Sequence, residues 1–581
     1  MTLLSQIESA LADAFESVLG EKVATPVVAA ADLRFGDYQC NAAMMQAKNR
    51  RTNPRALATQ VLEALDLGSI GTADIAGPGF INIRVSPETF SAHSAVLLKD
   101  DRLGVPATGE GRRVVIDFSA PNVAKPMHVG HIRSTILGDA LSRIARFLGF
   151  EVITDNHIGD WGTQFGMILH GWKTRLDEAA LAADPVTELV RVYRSVNAET
   201  KEVPEVLEVC KAELVKLQAG DEENLAIWHR CVDLSKQGLQ KIYGRLDVSF
   251  DHWLGESYYN ERLPGLVEDF LSQDLARVSD GAVCVFSGGD LPDEQDPFRI
   301  QKKEGWQDNP AIIRKADGGF LYATTDLATV EHRINVWKAD EIWYVVGTPQ
   351  QLHFRQIFDI CRRWGKSAGF HHIAFGSILG EDRKLMKTRS GDNVQLADVL
   401  EEAVERAGRV IAEKNPELDE AIREEVAEIV GIGAVKFAEL SQHRLTDYVF
   451  SWDRMLALQG DTAPYLQYSF VRIRSIFRKL EGPFAAESAS LQLKEEAEIH
   501  LARLLARYGE VVPTLLDDHR PNLLANYLLE LARAFHSFFE ACPVLKAEPS
   551  VRDSRLALCE LASRVLEHGL GLLGIRCPER M

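Results

Sequence analysis

Apolar residues recur at helical spacing at the start of the chain. Leu3, Ile7, Leu11 and Phe15 are four residues apart, which predicts a first core helix. A glycine- and proline-rich turn at 76–79 precedes the alternating run 80–85, which predicts a strand. Helices and short strands therefore mix in this region, so we predict an N-terminal α+β domain. The stretch 104–111 has the composition of a loop at a domain boundary.

A strand–helix–strand pattern follows the boundary. The apolar run 114–118 reads as a buried parallel strand, and apolar residues four apart predict a helix from His131 to about Phe147. Residues 151–154 then predict the next strand. Such a unit is typical of a Rossmann-type, doubly wound parallel sheet of the α/β class. Further strand-like runs occur at 320–323, 342–346 and 372–375.

The remaining segments are mainly helical. Residues 175–245 are charged and helical in pattern, and the chain from about 395 onward has the pattern of an all-α helical bundle. We predict three domains: an N-terminal one at 1–105, a parallel-sheet one at 106–450 with a helical insertion near 170–250, and a helical one at 451–581.

Composition narrows the class of protein. The 581 residues include 65 Lys and Arg against 84 Asp and Glu, a net charge of −19, with 46% hydrophobic and 26% charged residues. These values are those of a globular protein and exclude a mostly disordered or fibrous chain. The acidic balance argues against a histone-like DNA packer but leaves room for a local basic face that binds nucleic acid.

Cysteine usage and the N-terminus predict a cytoplasmic protein. The eight cysteines contain no C-x-x-C pair, which indicates free thiols in a reducing compartment and no zinc ribbon. The first residues lack the basic start of a signal peptide and the arginines of a transit peptide. No stretch of 18 uncharged apolar residues exists, so we expect no transmembrane helix.

The segment 119–131 joins the first strand of the predicted sheet to its helix. Unpaired backbone N–H groups and the helix dipole favour anions at such a turn. His128 and His131 can flank a phosphate there, and Gly130 lets a nucleotide approach the backbone. Taken alone, the two histidines can equally cap or pack against the helix start, and a metal pair lacks a third ligand nearby in sequence.

The longer string identifies a family resemblance. Ser119 through Thr135 resemble the S-x-P-N-x-x-K-x-x-H-x-G-H-x-R-S-T motif of arginyl-tRNA synthetases, which belong to class I of the aminoacyl-tRNA synthetases. Residues 156–166, Asn-His-Ile-Gly-Asp-Trp-Gly-Thr-Gln-Phe-Gly, are similar to a second hallmark of that family. The residues of the central motif are Pro121, Asn122, Val123, Ala124, Lys125, Pro126, Met127, His128, Val129, Gly130 and His131.

The resemblance implies a two-step reaction. The carboxylate of L-arginine attacks the α-phosphate of ATP, giving arginyl-adenylate and pyrophosphate, and the terminal adenosine of tRNA(Arg) then takes the arginyl group. Positioning and charge stabilisation dominate such phosphoryl displacement. The resemblance assigns Lys125, His128 and His131 to phosphate and ribose contacts. It places Ser119, Gly130 and Met386 at the nucleotide as well, and implies Mg²⁺ with the ATP.

A second class I signature, the K-M-S-K-S loop, is degenerate in this chain. Residues 384–391 read Lys-Leu-Met-Lys-Thr-Arg-Ser-Gly, with arginine where the second lysine of the signature would lie. Lys387, Arg389 and Lys125 are therefore all candidates to contact pyrophosphate. Without the family, this segment reads as a charged surface loop.

Arginine recognition requires a carboxylate, because a guanidinium is planar, permanently charged and best held in a bidentate geometry. Asp117 and Asp326 are the candidates on the predicted sheet. The resemblance gives Tyr322 and Asp326 the guanidinium, and Asn122 and Gln350 the α-amino and carboxylate end. The alternatives are a helix N-cap for Asp326 and core packing for Tyr322.

Three regions are candidates for tRNA contacts. Tyr465, Arg472 and Arg474 interleave aromatic and basic side chains, which suits stacking and phosphate contacts, although a solvated helix face with core tyrosines fits equally well. The C-terminal residues resemble the anticodon-binding domain of the family. The N-terminal domain resembles its D-loop-recognition module, with Phe80 and Asn82 as candidate contacts. Arg50, Arg51 and Arg55 offer a small basic patch.

The resemblance therefore implies an ATP-dependent arginine–tRNA ligase with tRNA(Arg), L-arginine and ATP as partners. We expect a monomer without zinc, DNA or a membrane as partner. One alternative is a catalytically inactive, synthetase-like tRNA-binding protein. Another is a nucleotidyltransferase that only activates a small acid, which would not need the helical C-terminal residues or the N-terminal module.

Overall fold

The computed structural model describes residues 1–380, 382–384, 386 and 394–581. They form two compact units. One unit combines residues 1–108 with residues 457–581, and the other consists of residues 109–456.

The first 108 residues form an α+β module. Its sheet is antiparallel with the strand order β1-β2-β4-β3. The elements are α1 (Leu3–Leu19), β1 (Val27–Ala29), β2 (Tyr38–Cys40), α2 (Ala42–Arg50), α3 (Pro54–Ala64), β3 (Gly71–Ala76), β4 (Phe80–Val85) and α4 (Pro87–Leu97). The predicted core face of α1 is buried, and the predicted strand 80–85 is β4.

The second unit is built around a parallel sheet with helices. Its elements begin with β5 (Arg113–Asp117), α5 (Gly130–Phe147), β6 (Glu151–Asp155), α6 (Thr163–Arg175), α7 (Glu178–Ala183), α8 (Pro185–Glu202), α9 (Pro204–Gln218), α10 (Glu222–Arg245) and α11 (Leu263–Ser272). They continue with β7 (Arg277–Ser279), β8 (Ala282–Val285), β9 (Arg299–Lys302), β10 (Gly305–Asp308), β11 (Ala311–Arg314), α12 (Tyr322–Asn335), β12 (Glu341–Tyr344), α13 (Gln351–Arg363) and β13 (Gly369–His372). The last are β14 (Ile378–Leu379), α14 (Leu396–Lys414), α15 (Glu420–Leu440), β15 (Tyr448–Val449) and α16 (Trp452–Met455).

The order of the parallel strands locates a crevice. The sheet runs β13-β12-β5-β6, so the chain leaves β5 toward β6 on one side and later adds β12 on the other. Ligands of such sheets bind where this reversal occurs, beyond the carboxyl ends of the strands. The predicted strand–helix–strand unit is confirmed as β5, α5 and β6.

Two predicted strands differ from the structure. The strand predicted at 320–323 is wrong, because Tyr322 begins α12 after the extended residue Leu321. The strand predicted at 372–375 is displaced, because β13 ends at His372. Short apolar runs do not distinguish a strand from the first turn of a buried helix, which explains the first error.

The helical insertion has its own core. Helices α6 to α10 enclose buried residues that include Phe165, Leu189, Leu217 and Trp228. A separate core lies between the parallel sheet and helices α11, α12 and α13, with Phe270, Leu327 and Ile357 among its buried members. This second core supports the helices that carry the predicted arginine contacts.

The C-terminal residues complete the first unit. They form α17 (Ala463–Phe477), α18 (Glu496–Ala506), α19 (Tyr508–Thr514), α20 (Asn522–Ala541) and α21 (Pro549–Leu572). Two buried polar contacts join these helices to the N-terminal module. Nε of Arg503 donates to Oδ1 of Asp37 at 2.5 Å, and the hydroxyl of Tyr38 donates to Glu510 at 2.8 Å.

Candidate active site

The chain turns sharply where β5 ends. Ser119 and Ala120 have φ of +72° and +45°, in the left-handed region that costs non-glycine residues energy. Hydrogen bonds hold the turn, because the N–H of Ser119 donates to Ser134 at 2.8 Å and its hydroxyl lies 2.8 Å from that of Thr135. The Ser119 side chain is buried, and a third contact, 2.7 Å to the hydroxyl of Tyr243, holds it in place.

The two predicted histidines lie side by side at the start of α5. Their ring centres are 4.0 Å apart. Nδ1 of His131 accepts the backbone N–H of His128, and Nδ1 of His128 accepts that of Gly130, each at 3.1 Å. Because both Nδ1 atoms are acceptors, the neutral rings carry their protons on Nε2. Each ring thus offers one N–H donor at a helix N-terminus.

Burial keeps these rings neutral. It lowers the pKa of His131 to about 4, and the neighbouring His128 adds to the effect. The pKa of His128 is also lowered by burial. At neutral pH the pair therefore provides uncharged hydrogen-bond donors. A Cβ at Gly130 would lie 2.8 Å from Cε1 of His128, so a larger residue there would displace that ring.

The cations predicted for the phosphates are only partly described. Nζ of Lys125 lies 5.3 Å from the centre of the Tyr193 ring, which belongs to α8 of the insertion. Met386 is half-buried, and its N–H donates to Ile378 at 3.4 Å. Lys387 and Arg389 lie outside the described residues. Of the predicted cations, Lys125 is thus the one with a described position.

The two family hallmarks meet in space. The N–H of Val123 donates to the carbonyl of Gly159 at 3.0 Å, and the N–H of Gly159 donates to Pro121 at 3.1 Å. A Cβ at position 159 would lie 2.4 Å from Oδ1 of Asn122, so a larger residue there would displace this amide. Asn122 is exposed. Its amide is therefore available at the carboxyl edge of the sheet.

Tyr322 and Asp326 lie one turn apart on α12. Tyr322 is the first residue of the helix and its side chain is 73% exposed, which overturns core packing. The helix is capped at Leu321, so Asp326 is not its N-cap. Instead, Nε2 of His353 lies 2.5 Å from Oδ2 of Asp326. Gln350 is exposed and immediately precedes α13, which carries His353.

A second carboxyl group near this position was not predicted. Burial raises the pKa of Glu256 to about 7, with a further increase from the negative charges of Asp160 and Asp326 and an opposing effect of His157. An acid whose pKa is raised by the negative charge of a neighbouring acid is suited to share a cationic ligand with it. Glu256 and Asp326 are therefore candidates to hold one guanidinium together.

Asp117 already has a guanidinium partner within the protein. Nη2 of Arg333 lies 2.7 Å from Oδ2 of Asp117 and 2.8 Å from Oδ2 of Asp155. All three side chains are buried, and burial raises the pKa of Asp117 despite the arginine. The structure thus places Asp117 in an ion cluster that joins α12 to the ends of β5 and β6.

The N-terminal residues predicted to contact tRNA lie on one face of the sheet. Phe80 and Asn82 alternate with the buried Ile81 and Ile83 on β4. Asn82 is only 3% exposed, because its amide accepts from Gln39 at 2.9 Å and donates to Asp74 at 3.0 Å. Phe80 is half-buried. Asn82 therefore stabilises the sheet through a row of cross-strand hydrogen bonds.

The predicted contacts on α17 are partly neutralised. Arg474 pairs with Glu560 at 2.8 Å, whereas Arg472 lies against the ring of Phe539 and within 3.3 Å of Nδ1 of His536. Tyr465 is half-buried, and burial raises the pKa of its hydroxyl. The positive charge of Arg472 is thus less neutralised within the protein than that of Arg474.

Within 1–380, 382–384, 386 and 394–581, no three His, Cys, Asp or Glu side chains are grouped as metal ligands. No helix of these ranges is long and apolar enough to cross a membrane.

Sequence reasoning missed several residues of the site. Glu256, His353, Tyr193, Tyr243 and Arg333 all contact or influence a predicted residue. His353 follows Gln350 by three positions, a spacing that places both on one side of a helix start. The other four lie on elements far away in sequence and carry no local signal.

Three protein-family models match segments of this chain. Residues 93–452 match the family model of the class I (R) tRNA synthetase catalytic domain, residues 466–581 that of the DALR anticodon binding domain, and residues 1–85 that of the arginyl tRNA synthetase N terminal domain.

Similar proteins cover the whole chain. The arginine–tRNA ligase of Thermobifida fusca is 44% identical over 585 residues, covering 100% of this chain and 99% of the relative. That of Chromobacterium violaceum is 44% identical over 555 residues and covers 94% of each. The crystal structure of arginyl-tRNA synthetase from Plasmodium falciparum is 27% identical with a TM-score of 0.84, and covers 100% of this chain and 99% of that one.

The predicted fold class is confirmed by these matches and by the strand order. A parallel-sheet domain carries both sequence hallmarks, an antiparallel-sheet module precedes it and a helical domain follows it. The chain belongs to the arginyl-tRNA synthetase family of class I aminoacyl-tRNA synthetases.

Proposed function

We propose that the protein ligates L-arginine to tRNA(Arg) in an ATP-dependent reaction. The observation that carries this proposal is the intact His128–Val129–Gly130–His131 turn in a chain 44% identical, over its full length, to a protein named arginine–tRNA ligase. The exposed Tyr322 and the paired acids near it support arginine as the amino acid.

In the first step, a carboxylate oxygen of arginine attacks the α-phosphorus of ATP and pyrophosphate leaves. His128 and His131 donate Nε2–H hydrogen bonds to the phosphates, aided by the N-terminus of α5. Lys125, Lys387 and Arg389 supply positive charge to the departing pyrophosphate. Ser119 contributes indirectly, because its hydrogen bonds hold the turn between β5 and α5. Gly130 and Met386 border the nucleotide.

The arginine side chain is held by acids from two elements. Asp326 and Glu256 face the guanidinium, and the hydroxyl of Tyr322 bonds it from the exposed end of α12. Asn122 and Gln350 hold the α-amino and carboxylate end at the crevice beside β5 and β12. Asp117 supports this arrangement indirectly, because its ion pair with Arg333 holds α12 against the sheet. Neutral analogues would leave the acids unpaired, which disfavours them strongly.

In the second step, a ribose hydroxyl of the terminal adenosine attacks the arginyl carbonyl and AMP leaves. Phe80 of the domain at 1–105 contacts the D-loop, and the buried Asn82 holds the strand that carries Phe80 through its cross-strand hydrogen bonds. Tyr465, Arg472 and Arg474 of the domain at 451–581 contact the anticodon arm. The domain at 106–450 carries out both chemical steps.

The remaining proposals concern the setting of the reaction. Mg²⁺ would accompany the ATP and neutralise part of its phosphate charge. The protein acts as a monomer in the cytoplasm.

Arginine-dependent exchange of pyrophosphate into ATP tests the proposal. We expect exchange with arginine and not with the other nineteen amino acids, measured with and without bulk tRNA. Asp326→Asn should abolish arginine binding and leave ATP binding intact. Folded protein that binds tRNA yet shows no exchange under either condition would instead identify an inactive, synthetase-like tRNA-binding protein.

A further inference from the structure

One side chain links the two helices that frame the predicted arginine pocket. His353 is the third residue of α13, and its Nε2 lies 2.5 Å from Oδ2 of Asp326 on α12. Both side chains are about three-quarters buried or more. The contact therefore joins the helix of Tyr322 and Asp326 to the helix that follows Gln350.

Only one of the two carboxylate oxygens of Asp326 takes part in this contact. Nε2–H of His353 donates to Oδ2, whereas Oδ1 accepts no hydrogen bond from any residue that the structure describes. A carboxylate with one oxygen fixed cannot rotate freely about its terminal torsion, which is otherwise broad. Its other oxygen then keeps one direction, and that direction matters for a planar guanidinium fork.

The His353 side chain contacts Asp326 and is not part of the buried core against the sheet. Its other close ring contact is with Phe354, the next residue of the same helix, at 5.3 Å between centres. Phe354 is buried in the core, whereas His353 is not part of it. Loss of the imidazole should thus free the carboxylate without removing a core side chain.

We propose that His353 is a positioning residue for arginine specificity, which fixes the Asp326 carboxylate so that its free oxygen meets the guanidinium. This inference rests on the proposed function. It assigns His353 no contact with ATP and no role in proton transfer. Loss of the His353 imidazole is therefore expected to lower the affinity for arginine and to leave the rate of the chemical step unchanged.

The test compares His353→Ala, His353→Gln and His353→Asn by arginine-dependent pyrophosphate exchange in the presence of tRNA. His353→Ala should raise the KM for arginine about 10- to 100-fold, the effect of one hydrogen bond to a charged group. The KM for ATP and kcat should stay within about twofold. Glutamine places an amide N–H near the position of Nε2 and should restore most of the arginine affinity, whereas the shorter asparagine should not.

Gln351→Ala is the matched control, because Gln351 is exposed in the same helical turn. It should leave all three constants unchanged. A wild-type KM for arginine in His353→Ala would overturn the inference. So would a parallel change in both KM values and kcat that glutamine fails to reverse, since that is the behaviour of a merely structural residue.

Two further outcomes keep the inference separate from the proposed function. Absence of arginine-dependent exchange in the wild-type protein would overturn the function itself. If circular dichroism shows that His353→Ala does not fold, the glutamine and asparagine variants provide the test instead. Equal KM values for arginine in these two variants would overturn the positioning role.

Discussion

The guanidinium of Arg333 and the carboxylate of Asp117 form a buried ion pair, with 2.7 Å between Nη2 and Oδ2. Asp155 shares the same nitrogen at 2.8 Å. Arg333 lies on α12 and the two acids end β5 and β6, so this cluster fixes the helix of Asp326 to the sheet. Removal of the arginine would leave two adjacent acids buried without the cation that they share.

We therefore expect Arg333→Met to lower the free energy of unfolding of the unit at 109–456 by about 3–5 kcal/mol. Urea unfolding followed by tryptophan fluorescence measures this. Arg362 also contacts two acids, Asp290 and Asp359, but is exposed. Arg362→Met should cost less than about 1 kcal/mol, and equal losses in both variants would contradict the buried cluster.

Substitution of His131 should slow adenylate formation. Its neutral Nε2–H is a donor toward phosphate, and loss of one such donor costs about 10²- to 10³-fold in rate. His131→Ala should show this loss in kcat for pyrophosphate exchange, with the KM for arginine unchanged. Because the pKa of His131 is about 4, its charge does not change between pH 6 and 8.

His229→Ala is the control for this experiment, since His229 is exposed on α10. A rate that falls as pH drops through 6.5 in the wild type, but not in His131→Asn, would show that the ring titrates there and would contradict its burial.

Arginine affinity should depend on pH through Glu256. Its pKa is raised to about 7, so the group is protonated and uncharged below that pH and ionised above it. Arginine remains a cation throughout, and its KM should fall as the pH rises from 6 to 8. Glu256→Gln should raise the KM about 10- to 100-fold at pH 8 and flatten the profile.

Glu261 is exposed in the same short helical segment, so Glu261→Gln should retain the wild-type profile. If Glu256→Gln bound arginine normally at pH 8, Asp326 would be the only acid required.

The contact between Asp37 and Arg503 should stabilise the unit formed by 1–108 and 457–581. Asp37 also accepts the backbone N–H of Val85 at 2.7 Å, and both partners are largely buried. Asp37→Asn leaves the arginine unpaired and should destabilise this unit by about 3–5 kcal/mol in urea. Asp32→Asn alters an exposed pair with Arg34 and should have no measurable effect. Equal midpoints for the two variants would argue against the contact.

Local pattern was sufficient for most of the elements and insufficient for the contacts between them. The long periodic run of α5 predicted the helix, and residues 151–154 predicted the strand that follows it. The four residues at 320–323 were too short to reveal that α12 begins among them. His353 and Glu256 escaped prediction because their relation to Asp326 arises from helices and turns that approach one another only in the folded chain.

Asp117 illustrates the same limit. A carboxylate at the end of a parallel strand is a reasonable ligand by position, yet its partner Arg333 lies 216 residues away. Asn82 was predicted as a tRNA contact from the family resemblance, whereas its hydrogen bonds come from the two flanking strands. In each case the partners of the predicted polar residue could be identified only from the tertiary structure.

The distance along the chain between Asp37 and Arg503 has a consequence for biosynthesis. They are 466 residues apart, and ribosomes add about 5–20 residues per second, so Asp37 emerges roughly 20–90 s before its partner. Tyr38 is likewise synthesised long before its partner Glu510. During this interval the nascent N-terminal module must remain soluble and protected from proteases without the helices that complete its unit. We therefore expect chaperones to engage this module while the central domain is still being made.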